Sequence, residues 1–175
     1  MKFKIFRFKK VNSTNNTAIR IIKKTNFDYG MVISEAQNNG RGQYGKKWIS
    51  YKGNLFTSFF FKLDNLNTSL KQLTKMNCLL VKKLLSIYYK KEIVYKKPND
   101  LLINKKKICG ILQEKISKLN KKYLIVGIGI NLIKSPNLRN YPTTNLKELL
   151  NKRISKNKIE KQIKKIFEIK LTKLY

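Results

Sequence analysis

The stretch "EAQNNGRGQYGKKWISYKGN" (residues 35–54) places glycines at 40, 42 and 45 in the spacing G-x-G-x-x-G, with Arg41, Lys46 and Lys47 among them. Glycines and cations in such an arrangement can hold a phosphate or a carboxylate. One chemistry is a dinucleotide-binding turn. It needs a strand before it and a helix opening at the third glycine, because the pyrophosphate rests on that helix N-terminus. The preceding "MVISEAQ" reads as a strand. No helix follows: "KKWISYKG" leads into "NLFTSFFFKL", a β-branched and aromatic run that reads as another strand. Asp64 stands at the distance of a ribose-binding acid, yet no room remains for a crossover helix before it. Gly40, Gly42 and Gly45 are therefore expected to keep a long loop flexible and to let backbone N–H groups approach an anion.

Four further polar islands interrupt apolar elements: "NSTN" (12–15), "KKPND" (96–100), "NKKKICG" (104–110) and "GIGIN" (127–131). Each alone has a structural explanation. "NSTN" can cap a helix. "KKPND" can form a type I turn. Gly127 and Gly129 can be close-packing positions in a strand. Lys107 can be a solvated hairpin lysine. Their joint occurrence, in this order, says more than any one of them.

Taken together the islands resemble the biotin protein ligase family, also called biotin–acetyl-CoA-carboxylase ligase. The resemblance is carried by Ser13-Thr14-Asn15, by Gly40-Arg41-Gly42-Gln43-Tyr44-Gly45-Lys46-Lys47-Trp48, by Lys96-Lys97-Pro98-Asn99-Asp100, by Lys107 followed by Gly110-Ile111-Leu112, and by Gly127-Ile128-Gly129-Ile130-Asn131. It spans about residues 11–133, and "TTNLKEL" (143–149) resembles a later family segment. Two positions depart from the family pattern: Gln43 stands where arginine is usual, and Lys97 where tryptophan is usual. Loss of the charge at Gln43 predicts some leakage of a reactive intermediate.

The resemblance implies a two-step reaction. Biotin's carboxylate attacks the α-phosphate of ATP to give biotinyl-5′-adenylate and pyrophosphate. A lysine of the biotin carboxyl carrier protein then takes the biotinyl group. Arg41 and Lys107 would hold the carboxylate and α-phosphate, with Asp100 the third catalytic candidate. The biotin-binding set would be Ser13, Thr14, Asn15, Gln37, Gly40, Arg41, Gly42, Gln43 and Lys107. By analogy Ser13, Thr14 and Gln37 would hydrogen-bond the ureido ring, and Gly40 would let backbone reach it. The nucleotide set would be Trp48, Lys96, Asn99, Gly110 and Asn131, with Trp48 ordering the loop over the adenylate and excluding water. ATP and Mg²⁺ are the implied cofactors; Asp100 could help to hold the metal, and its other ligands stay unknown.

The elements that must position these residues follow from the hydrophobic pattern. "KFKIFRF" alternates as an edge strand. "NSTNNTAIRIIKK" offers N-cap oxygens at Asn12, Ser13 and Thr14, with Ala18, Ile21 and Ile22 as an apolar stripe. Strands are expected at 31–36 and 54–63. The clearest helix is 68–91, with Leu70, Leu73, Leu80, Leu84 and Tyr88 on one face. "EIVYK" reads as a strand, "LLI" and "KICGILQEKI" as a hairpin, and "YLIVGIGINL" as a strand. A loop at 136–142 leads to two helices, the second burying Ile159, Ile163, Ile166 and either Ile169 or Phe167. This order predicts an α+β fold: a mixed, mostly antiparallel sheet covered by helices on one face. The resemblance adds the class II aminoacyl-tRNA synthetase/biotin ligase catalytic fold. The 175 residues are expected to form one catalytic domain, with neither the N-terminal helix-turn-helix nor the C-terminal β-barrel that other members carry.

Composition bounds the rest. Forty Lys+Arg against nine Asp+Glu give a net charge of +31. Only five of the positives are arginine (Arg7, Arg20, Arg41, Arg139 and Arg153). Arginine is the residue that bidentate phosphate and base recognition prefers, so specific DNA binding is not expected. A basic nucleic-acid module would interleave aromatics with the positives, whereas here Phe and Tyr fall mainly in strands. A lipoate protein ligase shares fold and chemistry with the biotin enzymes, but the "GRGxxG" loop and "PND" argue against it. The absence of histidine removes imidazole chemistry and His metal sites. Cys78 and Cys109 read as buried free thiols in a reducing, cytoplasmic setting. "MKFKIFRFKK" has no signal-peptide core, and "YLIVGIGINLI" is too short to span a bilayer. The oligomeric state, a homodimer included, is left open.

Overall fold

The computed structural model describes residues 2–63 and 69–172. Asp64 and the first residue of the expected 68–91 helix lie outside the described residues. In chain order the elements are β1 (Lys4–Val11), α1 (Thr14–Lys24), β2 (Tyr29–Gln37), β3 (Leu55–Lys62), α2 (Leu70–Tyr88), β4 (Val94–Lys96), β5 (Asp100–Ile103), β6 (Lys106–Lys118), β7 (Lys121–Ile130), α3 (Leu146–Leu150) and α4 (Lys156–Thr172). The strands form one sheet in the order β1-β2-β3-β7-β6-β5-β4. β1 and β2 run parallel and every other neighbouring pair is antiparallel. A parallel pair needs a crossover, and α1 supplies it.

Side chains alternate across the central strands, so the sheet has two buried faces. Phe59 and Phe61 of β3, with Leu124, Val126 and Ile128 of β7, pack against α2 and α4. Phe60 of β3 and Ile125 of β7 point the other way, onto Ala18, Ile21 and Ile22 of α1. Helices thus cover both faces, not one as the pattern predicted. The aromatic run "FFF" explains this: consecutive strand residues present bulk to opposite faces, and each face needs cover.

The stripe of α2 also differs from expectation. Its buried residues are Leu73, Asn77, Cys78, Val81, Leu84 and Leu85, while Leu70 is 44% exposed. Leu70 is the first residue of the helix, and its carbonyl accepts from Gln113 Nε2 of β6 at 3.4 Å. Asn77 belongs to the buried face because its amide donates to Gln113 Oε1 at 2.7 Å, which a count of apolar positions cannot register. In α4, Phe167 takes the inward position and stacks on Phe59 at 4.2 Å between ring centroids, leaving Ile169 half exposed.

Across the α1 face, the pleat brings Gly110 of β6 opposite Gly129 of β7, and Leu112 opposite Gly127. Where other strand positions carry bulk, these three glycines carry none. The sheet is therefore bare in one place, beside the N-terminus of α1.

Candidate active site

A cleft of about 380 Å³ opens over that bare patch. This is within the range of small-molecule sites. Its walls are the α1 N-terminus, the 38–54 loop, the 97–99 turn and the segment 136–143. Of the residues singled out in the sequence, Ser13, Thr14, Asn15, Gln37, Arg41, Gly42, Gln43, Trp48, Lys96, Asn99, Asp100, Lys107, Gly110 and Asn131 all line it. Gly40 does not. A Cβ on Gly40 would fall 2.5 Å from Trp48 O, and its carbonyl accepts the Trp48 N–H at 2.8 Å, so it lets the loop fold on itself instead of reaching a ligand.

The glycine loop is folded back as a short hairpin. The Gly42 N–H donates to Lys46 O at 2.6 Å, and Arg41 bridges Lys47. Tyr44 and Gly45 make the turn with φ of 55° and 71°, where glycine is at ease. The loop is thus internally bonded, and the Gly42 N–H is engaged by the hairpin instead of awaiting an anion. Trp48 follows and lies over the bare strands. A Cβ on Gly129 would meet Trp48 Cε2 at 2.4 Å, and one on Gly110 would meet Cζ3 at 2.8 Å. Gly127 makes the same kind of room for Asn15, 2.2 Å from the Oδ1.

At the α1 end, a polar network ties the islands together. Ser13 holds the N-cap position without a side-chain cap bond, so "NSTN" is more than a helix cap. The Thr14 N–H and hydroxyl both donate to Gln37 Oε1, at 2.8 and 3.2 Å. Ser58 of β3 shares its hydroxyl between Thr14 Oγ1 at 2.8 Å and Asn15 Oδ1 at 2.5 Å. Asn15 Nδ2 donates to Glu114 Oε2 at 2.7 Å, and the same oxygen accepts Arg41 Nη2 at 2.6 Å. Gln37 Nε2 continues to Ser50 Oγ at 3.1 Å, which reaches Trp48 O at 3.3 Å. Both ends of the glycine loop are thereby anchored to the start of α1.

At the opposite end, Lys107 Nζ lies 2.8 Å from Asp100 Oδ1. Its ammonium is 5.3 Å from the Trp48 ring and 5.4 Å from the Tyr141 ring. It is a partly buried, paired cation and not a solvated hairpin lysine. The Tyr141 hydroxyl donates to Asp100 Oδ2 at 2.7 Å, and Lys96 Nζ sits 4.4 Å over the same ring. Burial, then the hydrogen bond to Asp100 and its charge, push the Tyr141 phenol well above its usual range, so it stays a donor. Asn99 is turned toward the protein: its Nδ2 donates to Ile111 O at 2.6 Å and pins the 97–99 turn to β6. Asn131 is buried, its Nδ2 donating to Thr144 O at 3.1 Å while its Oδ1 has no partner within the protein. Trp48 Nε1 is likewise buried without a partner. Two orphaned polar atoms lining one cleft fit a polar ligand that would satisfy them.

Sequence reasoning missed Ser58, Glu114 and Tyr141. Glu114 carried a signal, since it is one of only nine acids and lies two residues beyond the "GIL" of the fourth island. Ser58 and Tyr141 carried none: one interrupts an aromatic strand and the other sits in a proline-containing loop. Among the described residues no group of three or more His, Cys, Asp or Glu is placed to hold a metal ion, and Asp100 is the one carboxylate lining the cleft.

Residues 7–131 match the model of the biotin/lipoate A/B protein ligase family. The chain belongs to that family. Its curated relatives in the family include the bifunctional ligase/repressor BirA of Bacillus subtilis (strain 168), 31% identical over 129 residues, 73% of this chain and 40% of the relative. The biotin–[acetyl-CoA-carboxylase] ligase of Paracoccus denitrificans is 28% identical over 130 residues, 73% of this chain and 54% of the relative. The chain thus spans about half or less of the length of these curated ligases. Among solved structures, the biotin protein ligase from Aquifex aeolicus in complex with biotin and ATP superposes with a TM-score of 0.79 at 32% identity, over 97% of this chain and 71% of that one. A Plasmodium falciparum protein solved with lipoate shares the fold alone, with a TM-score of 0.62 at 16% identity.

Proposed function

We propose that the protein is a biotin protein ligase: it activates biotin with ATP and passes the biotinyl group to a lysine of a biotin carboxyl carrier protein. The observation that carries this reading is the convergence of five separated motifs on one cleft. An uncharged hydrogen-bonding cluster stands at one end of it and a paired lysine at the other. The cluster of Thr14, Asn15 and Gln37, braced from behind by the buried Ser58, suits a neutral ureido ring, which both donates and accepts. Ser13 lines the same wall. The cationic end, with Lys96 and Lys107, suits a carboxylate and a polyphosphate, which repel one another unless their charge is offset, and Arg41, held beside Asn15 by Glu114, adds a cation from the glycine loop. Asn131 Oδ1 and Trp48 Nε1 would satisfy polar atoms of the nucleotide. Asp100 and Asn99 hold the walls at that end, and Gly110, Gly42 and Gln43 shape the space.

In the first step a carboxylate oxygen of biotin forms a bond to the α-phosphorus as the bond to the pyrophosphate oxygen breaks. Lys107 and Arg41 offset the charge that passes to the departing pyrophosphate, and the fixed positions of both reactants supply the rest of the rate. Trp48 shields the mixed anhydride from water. In the second step a lysine amine, having lost its proton, attacks the acyl carbon and AMP leaves. Mg²⁺ would enter with the nucleotide, offsetting phosphate charge, with Asp100 as the protein carboxylate in reach; hard cations accept such a sparse protein donor set when phosphates and waters complete it. A cytoplasmic location fits two free thiols, and no helix among the described residues is long and apolar enough to cross a membrane.

The test is biotin-dependent exchange of labelled pyrophosphate into ATP, with lipoate and no-acid controls. Exchange is expected with biotin, falling by about a hundredfold or more in Lys107→Ala. Exchange with lipoate alone would move the assignment within the family. A folded sample with Mg²⁺ that exchanges with neither acid would sink the ligase reading.

A further inference from the structure

Tyr141, which lies in none of the motifs, touches Asp100, Lys96 and Lys107 at the cationic end. Its hydroxyl bonds Asp100 Oδ2, while Asp100 Oδ1 holds the Lys107 ammonium, so both carboxylate oxygens are oriented from opposite sides. Its ring lies under Lys96 Nζ and beside Lys107 Nζ. Its backbone is fixed independently. The Lys107 N–H donates to Pro142 O at 2.8 Å, the Thr144 N–H donates to Lys107 O at 2.9 Å, and Thr143 pairs with Lys107 as a parallel bridge. Residues 142–144 are thus laced along the lysine itself. Within the same loop the Tyr141 N–H donates to Leu138 O at 3.2 Å, closing a turn.

We propose that Tyr141 is a positioning residue for the cationic end of the cleft: its hydroxyl fixes Asp100 and through it the ammonium of Lys107, while its ring seats the ammonium of Lys96. A lysine ammonium on a four-carbon stem has no preferred direction of its own, so its placement must come from its surroundings. A carboxylate held at both oxygens defines one point for Lys107. An aromatic face defines another for Lys96, since cations favour the ring's negative face. The two ammonium groups then stand around one ring, an arrangement suited to neighbouring phosphoryl oxygens. The chemistry of this proposal rests on the ligase reading; its geometry does not.

The experiment has two arms on the full chain. In the first, native protein is labelled briefly with an amine-reactive ester, and modification of Lys107, Lys96 and the exposed Lys165 is mapped by mass spectrometry. Tyr141→Phe is expected to raise the Lys107 rate about fivefold, leaving Lys96 and Lys165 within about twofold of wild type, because the ring remains and the hydroxyl bond is gone. Lys96 is already exposed, so Tyr141→Ala, which removes the ring its ammonium rests on, should change its rate by no more than about twofold while raising that of Lys107 at least as much as Tyr141→Phe. In the second arm, pyrophosphate exchange by Tyr141→Phe should show kcat lowered about tenfold with KM for biotin within about twofold and an unchanged melting temperature. The double variant Tyr141→Phe/Asp100→Asn should be no slower than Asp100→Asn alone. An unchanged Lys107 labelling rate in Tyr141→Phe would overturn the proposal, as would a loss that adds fully to that of Asp100→Asn. Wild type without exchange would sink the ligase reading and leave the labelling arm to decide on Tyr141.

Discussion

The indole of Trp48 lies so close to Gly129 that any side chain there would enter the ring, its Cβ 2.4 Å from Cε2. The contact joins a loop residue to a strand residue far along the chain, and it depends on an absence of atoms. Gly129→Ala should therefore lift Trp48 off the sheet without straining the strand backbone. Overpacking of this kind costs about 1–3 kcal/mol. Because Trp48 is the single tryptophan, its emission reads the outcome: a red shift with a lowered urea midpoint is expected. Gly45→Ala is the contrast, since nothing lies within 4 Å of its Cβ but its φ is +71°. It should cost about 1 kcal/mol and leave the emission in place.

The two thiols give a pH prediction. Burial, with a smaller contribution from the Asp100 charge, pushes Cys78 up to about 12, and burial pushes Cys109 well above its usual value. A thiol raised above its unfolded value of 9.0 favours folding fully below that pH. The contribution is lost as pH rises from 9.0 toward about 12. Urea midpoints should fall through this window, and the fall should be shallower in Cys78→Ala. At pH 8 the folded protein should react with a disulfide reagent at neither thiol, and both should react once it is unfolded. Rapid modification of Cys109 in the native state would contradict its burial.

How much of this was legible in the sequence differs by layer. Strands and helices showed because each carries its own signal; β1 alternates, β3 and β7 are rich in β-branched and aromatic residues, and α1 repeats at helical spacing. The faces did not, because an unbroken aromatic run such as Phe59-Phe60-Phe61 conceals which side each ring takes. The candidate site residues were legible as types, and all but Gly40 line the cleft. What the sequence withheld was partnership. Lys107 meets Asp100 because β5 and β6 pair as a hairpin, and Arg41 meets Glu114 across 73 positions. Tyr141 was invisible for the same reason, since its role comes from the loop that laces residues 142–144 to Lys107.

Glu114 is the counter-ion that holds Arg41 and Asn15 at once. The pair is partly exposed, so its value to stability is about 1 kcal/mol or less. Its value to the site is orientation, because Arg41 has further donors free for a ligand once Nη2 is fixed. Glu114→Ala should leave the melting temperature almost unchanged and lower pyrophosphate exchange about tenfold. Glu114→Gln keeps an acceptor for Asn15 and should recover part of the loss. Exchange at the wild-type rate in Glu114→Ala would mean that the substrate alone places Arg41.

Gln43 opens the loop turn and lines the cleft where the family pattern has a cation. A carboxamide can donate to a phosphoryl oxygen but cannot offset its charge. An added cation near the surface at about 4 Å from the adenylate phosphate is worth between about 1 and 4 kcal/mol before the cost of ordering it, and the lower end is the realistic one for an exposed loop. About 1 kcal/mol corresponds to about fivefold in retention. Gln43→Arg should therefore reduce the free biotinyl-adenylate released into solution by about fivefold, measured by chromatography of protein-free filtrate with biotin, ATP and no acceptor. Because the effect is electrostatic and exposed, it should shrink toward nothing in about 1 M salt, where the screening length is about 3 Å. Equal release by both proteins at low salt would show that Arg41, Lys96 and Lys107 already hold the intermediate, and that the missing charge at position 43 does not control its escape.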